Sequence, residues 1–447
     1  MMNIKSTLIA YKTTLGTLKV SLWMISLCAA LSCPGGSSDS SFGKKDILSK
    51  YDSKAMVEML IDAAKGGDSD SQMELGLLYN KGNKYLIKND KEAFLWFNKA
   101  SEQGNSLALL FLVQFYEKGI GTQQDLSKTV RIYEKMARQG YEDAQLGLAL
   151  CYDTGRGVEQ NKQEAIKWFA KAAELGHPTA QYRMGCEYEE GECVPQDFKK
   201  AVEYYVRSAE QGELSAFCRL ATCYMEGRGI ERNEKKAVEL FRHAAERGSA
   251  NAQYNIAVCL ENGSGVEPNI KEAFEWYTKA SDQGNAWASN NLGALYLDGR
   301  GIPRDPNKAA ELYTKAADQG MPEAQCNLGF CYEEGFGVGK DVNKAVELYK
   351  KSVSQNYPLG LYKLGRCYFL GIGVSKDLEQ ARSWLEKAAD RNEVNAQYLL
   401  GGFYINGWGG EKNDEKGKVW LEKAAAQGSP EAKDVLKKLQ ETLQQKQ

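Results

Sequence analysis

The sequence predicts an all-α solenoid built from helix-turn-helix repeats, and three periodic series predict it. Tyr116, Tyr152, Tyr188 and Tyr224 stand 36 residues apart; the series resumes at Tyr296, Tyr332, Tyr368 and Tyr404, with Leu260 in the slot between. Tyr79 precedes Tyr116 by 37, one loop residue more. Gly104, Gly140, Gly176, Gly212, Gly248, Gly284, Gly320 and Gly428 end successive units, with Asn356 and Asn392 in the two other slots. Glycine and asparagine accept the left-handed conformation that ends a helix. Asp90, Asp125, Asn161, Asp197, Asn233, Asn269, Asp305, Asp341, Asp377 and Asn413 mark the third slot. There a side-chain oxygen can accept hydrogen bonds from the free amides of a first helical turn. A fixed period of this length is the signature of a repeat array. At 447 residues the chain is also too long for one ordinary compact domain.

In chain order, residues 1–33 read as an export signal. Lys5, Lys12 and Lys19 supply positive charge, and residues 20–31 form a mostly apolar run too short to span a bilayer comfortably. The run ends in Ala30-Leu31-Ser32-Cys33, followed by Pro34, glycines and serines. This resembles a bacterial lipoprotein signal with Cys33 as the lipidated residue, although Leu31 stands where a small residue is usual. A plain cleaved signal or an N-terminal anchor are the alternatives. Residues 34–50 read as a flexible linker. Residues 51–67, with "SKAMVEMLIDAAKGG", read as a lone second helix that caps the array. Residues 68–428 hold ten copies of about 36 residues, and residues 429–447 start like a first helix and turn strongly polar, a C-terminal cap.

Each copy divides into a helix A and a helix B. In the fourth copy, "TAQYRMGCEYEEG" places Ala180, Met184 and Tyr188 four apart on one face, and Gly185 allows a close neighbour. "DFKKAVEYYVRSAEQG" does the same with Ala201, Tyr205 and Ala209. No strand-like alternation competes. One helix pair cannot bury its apolar face alone, so the pairs must stack.

The recurring Leu-Gly before Tyr, Gly-x-Gly-Val, Asp, Ala and Ala-Ala-x-x-Gly, as in "AQCNLGFCYEEGFGVGKDVNKAVELYKKS", look like the Sel-1-like repeat, a relative of the tetratricopeptide repeat. The resemblance covers nearly all of the chain after the leader. It implies a right-handed α/α superhelix with helix A lining the concave side, and a protein-interaction scaffold rather than an enzyme. By analogy with tetratricopeptide repeats, the slot after the repeating tyrosine and the one following should line the groove. They hold Glu117, Asp153, Glu189, Glu190, Glu226, Glu261, Asp298, Glu333 and Glu334, then Phe369, Leu370 and Ile405. The expectation is an acidic band with an apolar patch near the C-terminal end, gripping a basic or amphipathic segment of a partner protein. A solvated helix end is the plain alternative for the acidic residues. The chain is expected to act as a monomer.

Bacterial members of the family are often exported, and some cysteine-rich ones pair cysteines within a repeat. Here Cys151, Cys223, Cys259, Cys331 and Cys367 share one slot, a helix–helix distance of roughly 8–10 Å apart, too far to bridge. They read as small buried thiols. Cys186 and Cys193 join helix A to its following loop and form the one pair with a workable geometry. Unpaired thiols mildly favour a cytosolic or membrane-anchored adaptor over an exported scaffold.

Other chemistries lack raw material. A net charge of -2 leaves no broad basic footprint, so nucleic-acid binding is not expected. Only His177 and His243 exist, no C-x-x-C occurs, and no metal site or cofactor is expected. A β-lactamase-type hydrolase of the cell envelope is the enzymatic alternative, but the repeats set no Ser-x-x-Lys and no Gly-x-Ser-x-Gly. The Gly-x-Gly turns, such as Gly155-Arg156-Gly157, could suggest phosphate cradles. No strand precedes them and no Gly-Lys-Ser/Thr follows, so they read as chain reversals. The aromatic pairs Trp168-Phe169, Tyr204-Tyr205 and Trp276-Tyr277 read as core.

Overall fold

A computed structural model describes residues 50–445. Among the described residues there are 22 α-helices and no strand. After a first helix, Lys54–Lys65, the A helices are Ser69–Lys81, Ser106–Lys118, Glu142–Thr154, Pro178–Glu190, Leu214–Glu226, Ala250–Asn262, Ala286–Asp298, Pro322–Glu334, Pro358–Leu370 and Val394–Asn406. The B helices are Asp90–Glu102, Leu126–Arg138, Lys162–Glu174, Phe198–Glu210, Glu234–Glu246, Ile270–Asp282, Pro306–Asp318, Val342–Ser354, Leu378–Ala389 and Asp414–Ala426, and Pro430–Gln445 closes the array. This is the paired-helix solenoid that the three series predict. Residues 1–33, expected as an export signal with Cys33 lipidated, and nearly all of the expected linker lie outside the described residues.

The chain forms two compact units, one of residues up to 216 with 228–230, the other of residues 217–227 with 231 onward. In the first, the lone helix Lys54–Lys65 sets Val57, Leu60 and Ala64 against Leu75 and Leu78 of the first A helix. Farther along, Ala165, Phe169 and Ala172 of one B helix pack on Ala180 and Met184 of the next A helix. In the second unit, Ala381, Leu385 and Ala388 pack on Ala396, Leu400 and Phe403 in the same way. Alanine on facing turns lets the helices approach, and the large side chains fill the space between copies.

The polar series work as local punctuation. Asn161 accepts hydrogen bonds at its side chain from the Glu164 amide, and its own amide donates to the Tyr152 carbonyl at 2.8 Å. The same pair of contacts recurs at Asp197/Tyr188, Asn233/Tyr224 and Asp341/Tyr332. In the first copy the cap is Asn89, not Asp90 as the spacing suggested. The extra residue of that copy lies in the loop ahead of the cap, so Asp90 becomes the first helical residue and accepts from Asn80.

Two glycines show what the turn requires. Gly155 ends helix A at φ 72°, and Gly157 follows at φ 76°. A Cβ on Gly157 would lie 2.4 Å from the carbonyl oxygen of Leu126, in the first turn of the preceding B helix. The turn therefore packs backbone against backbone between copies, a joint that leaves no room for a phosphate.

A row of glutamines, unread in the sequence, ties the helices together. Gln72, Gln145, Gln181, Gln253 and Gln397 each donate to an alanine carbonyl eight residues earlier. Gln103, Gln211, Gln283 and Gln427 donate in turn to four of those side chains. These four amides, satisfied on both sides, fix helix register at little cost, whereas the buried Gln145 carbonyl oxygen finds no partner among the described residues.

Candidate interaction surface

The last turn of each A helix carries the residues expected to face a partner. The structure sorts them into three groups. Glu117, Glu189 and Glu333 are buried, and Glu261 nearly so, rather than lining a groove. Their slot points back onto helix B, where a tyrosine stands 16 residues on. Tyr205 donates to Glu189 at 2.6 Å, Tyr277 to Glu261 at 2.7 Å and Tyr349 to Glu333 at 2.8 Å. Burial, with the neighbouring carboxylates, pushes these phenols far above their ordinary range, against the Asn291 amide at Tyr277, so they stay protonated donors.

An arginine completes each set from the next copy. Arg156 lies 3.7 Å from Glu117, Arg228 3.4 Å from Glu189, and Arg300 2.9 Å from Glu261. All three come from the middle of a Gly-Arg-Gly turn. For Glu333 the same role falls to Arg366, on the following A helix, at 2.7 Å. A carboxylate taken out of water is held by a cation and a hydroxyl, as its desolvation demands. These clasps join copy two to three, four to five, six to seven and eight to nine, and so occur at every second step.

The second group stays at the surface. Asp153 is half-buried, and Phe169 rather than a tyrosine stands opposite it. Glu190, Glu226, Asp298 and Glu334 are exposed, and Asp298 lies 3.6 Å from Arg300. Around the fourth copy the charge accumulates. Burial raises the Glu187 carboxyl, and the fields of Glu190, Asp153 and Glu192 raise it further, with Lys162 opposing. Lys162 pairs with Glu192 at 2.5 Å.

The third group is apolar. Phe369 meets Phe403 at 5.0 Å and Trp408 at 5.2 Å between ring centroids. Leu370 is 51% exposed and Trp408 36%, while Ile405 is half-buried. Phe369 and Trp408 occupy the two slots that hold Glu and Arg in the ionic clasps, so a ring pair replaces an ion pair. Trp408 was not singled out in the sequence. Its signal was the middle position of Gly407-Trp408-Gly409, where other copies carry arginine.

Cys186 and Cys193 are both free thiols rather than a bridge. Cys193 packs beside the Ala165–Met184 core, and no bridge links it to Cys186. Burial pushes the Cys151, Cys259, Cys326 and Cys331 thiols up to about 11 and Cys367 up to about 12, far from a nucleophilic thiolate. His177 is buried, with Nε2 3.2 Å from Asp143 of the preceding copy. His243 packs at a tilt of 42° against Phe217, with ring centroids 4.7 Å apart. Among the described residues no three His, Cys, Asp or Glu side chains could hold a metal ion together. Among them, too, no helix is long and apolar enough to cross a membrane. Of the aromatic pairs, Phe169, Tyr205, Trp276 and Tyr277 are buried, and Lys171 and Lys279 cover the rings of Trp168 and Trp276 at 3.9 and 4.0 Å.

A family model for the Sel1 repeat matches residues 69–105, 106–141, 142–177, 178–213, 215–249, 250–285, 288–321, 322–357, 358–393 and 394–429. The chain is 31% identical to the crystal structure of a protective antigen of uropathogenic Escherichia coli displaying an SLR fold. That match has a TM-score of 0.56 and covers 86% of this chain and 90% of the other. A Sel1 repeat protein from Oxalobacter formigenes is also 31% identical, with a TM-score of 0.51 over 55% of this chain and 96% of that one. The mouse protein DAP3-binding cell death enhancer 1 is 32% identical over 88 residues, which are 20% of this chain and 17% of that protein. The chain thus spans less than a fifth of that relative's length.

Proposed function

This chain belongs to the Sel1-repeat family, and from that premise we propose that it grips a basic or amphipathic segment of a partner protein. Sel1-repeat proteins act as protein-interaction scaffolds and are generally non-catalytic. The finer reading names two contact points, each within its own unit. Lysine or arginine side chains meet the carboxylates around the fourth copy, Asp153, Glu187 and Glu190. Apolar side chains meet Leu370 and Trp408, with Phe369 and Ile405 behind them. The supporting observation is the Glu187 carboxyl, raised first by its burial and then by the nearby carboxylates Glu190, Asp153 and Glu192, a field that an incoming cation would oppose. The clasped Glu117, Glu189, Glu261 and Glu333 take no part, because their charge is already answered inside the fold.

The test compares the full chain with Asp153→Lys/Glu190→Lys and with Leu370→Ser/Trp408→Ser. Captured proteins are identified, and the strongest is purified and titrated at low and high salt. The charge variant should lose affinity and salt dependence, and the apolar variant should lose affinity alone. A partner bound equally by all three chains sinks the reading. We also place the work of the chain outside the cytosol, as a lipidated monomer, on the strength of the leader at 1–33. Cell fractionation, with a mobility shift abolished by Cys33→Ala, checks this.

A further inference from the structure

In the second unit, copies six to eight carry asparagine at one helix-A slot: Asn255, Asn291 and Asn327, with Asn290 beside Asn291. Other copies hold Glu74, Phe111, Gly147, Arg183, Arg219, Lys363 or Leu399 there. The amides are linked. Asn327 donates to Asn290 at 2.8 Å, Asn290 to Asn291 at 3.4 Å, and Asn291 to the Tyr277 hydroxyl at 3.2 Å. Tyr277 donates onward to Glu261, which Arg300 clasps. Asn255, with no side-chain hydrogen bond among the described residues, extends the row. All four asparagines are half-buried, neither sealed in the core nor fully solvated.

We propose that this row of side-chain amides holds the main chain of an extended partner segment. An asparagine amide carries one N–H₂ donor group and one carbonyl acceptor, the same complement as a peptide unit. The internal relay uses one donor of each of Asn327, Asn290 and Asn291 and one lone pair of each of the Asn290 and Asn291 carbonyls, and leaves the remaining donors and lone pairs, with all of Asn255, for a partner. Helices in contact lie roughly 8–10 Å apart, and an extended chain advances roughly 3.3 Å per residue. Every third peptide unit of a bound strand therefore meets the next copy. The row bears no net charge, since the carboxylate at its end, Glu261, is matched by Arg300. Main-chain recognition of this kind tolerates many sequences and is little screened by salt. The proposal rests on the reading that the chain grips a partner segment, and adds to the carboxylates of the first unit a separate hold on the main chain by amides of the second.

The probe is a resin-bound library of random decapeptides, screened against the full-length chain. Recovered peptides are remade with N-methyl groups on every third residue, which removes main-chain donors and leaves side chains intact. N-methylation should weaken binding about tenfold or more, the loss of one or two well-made hydrogen bonds. Asn327→Ala should do the same. Asn255→Ala breaks no internal bond and so tests the row without disturbing the relay; it should weaken binding several-fold. Raising salt should change affinity less than about twofold. Peptides that bind equally well after N-methylation, or equally well to both asparagine variants, overturn the proposal. So does a screen that recovers no peptide, or only soluble oligosaccharides when these are offered in competition. If binding is instead lost with salt and with Asp153→Lys/Glu190→Lys, the charged surface stands and the amide row falls.

Discussion

Glu333→Ala is the sharpest test of the clasps. The side chain is 4% exposed and accepts from Tyr349 at 2.8 Å and from Arg366 at 2.7 Å. Removing it leaves the fully buried Tyr349 hydroxyl without its acceptor, a cost of about 1–3 kcal/mol. Arg366 is 28% exposed and can rehydrate, so its lost ion pair adds less than about 1 kcal/mol. The expected destabilisation is about 2–3 kcal/mol. The neighbouring Glu334 is exposed, and Glu334→Ala should stay within about 0.5 kcal/mol of the parent chain. Tyr349→Phe in the Glu333→Ala background should recover part of the loss, because it removes the orphaned hydroxyl. Urea denaturation followed by circular dichroism gives the global cost. Hydrogen exchange places it, and the amides of residues 322–370 should lose protection most. Arrays of repeats do not always unfold in one step, which makes the local readout the decisive one. If Glu333→Ala is no worse than Glu334→Ala, the buried carboxylate carries no weight and the clasp argument fails.

Further outcomes follow from the same geometry. Burial raises the Glu117 carboxyl above its ordinary range, outweighing Arg156 and Lys118, which lower it. The folded state then binds its proton more tightly than the unfolded chain. Its stabilising contribution is full below the unfolded value and falls as pH rises through the elevated folded value. Glu117→Gln should therefore flatten the decline in urea midpoint across that window, and a variant whose pH profile matches the parent refutes this. Gly157→Ala should cost more than the roughly 1–2 kcal/mol of a left-handed alanine, because of the Leu126 carbonyl. Gly320→Ala, at φ 87° with nothing within 4 Å of its Cβ, meets no such carbonyl and should cost less, and equal melting shifts would contradict the comparison. Iodoacetamide at pH 8 should leave Cys151, Cys259, Cys326, Cys331 and Cys367 unmodified in the native chain and label them after urea. Peptide mapping reads this, and rapid native labelling would show that burial does not protect them.

The fold was legible because each copy repeats its own punctuation. Asn161 caps, Tyr152 lends its carbonyl to the loop, Gly155 ends the helix, and a 36-residue period multiplies the evidence. The surface was less legible, since a slot next to a repeating tyrosine can face either way. Glu189 and Glu190 are adjacent, yet one is buried on Tyr205 and the other exposed. The clue was present but non-local. Tyr205, Tyr277 and Tyr349 stand 16 residues after a glutamate, whereas Phe169 stands 16 after Asp153 and Phe241 16 after Met225. The asparagine row and the glutamine row were missed for a related reason. Single polar side chains on helix A look solvated until their partners in the next copy are known.

The alternate placing of the clasps sets a rule for shortening or lengthening the chain. Excising residues 118–189, a span of 72, would bring Glu117 opposite Arg228, and the acid would find its base again. Excising 36 residues, 118–153, would set Glu117 beside Glu192 and strand a buried carboxylate against another acid. The turn period of the backbone is one copy, but the smallest segment that can be spliced without an electrostatic fault is two. Variants built by inserting or deleting such segments should tolerate even numbers of copies in this stretch and penalise odd ones.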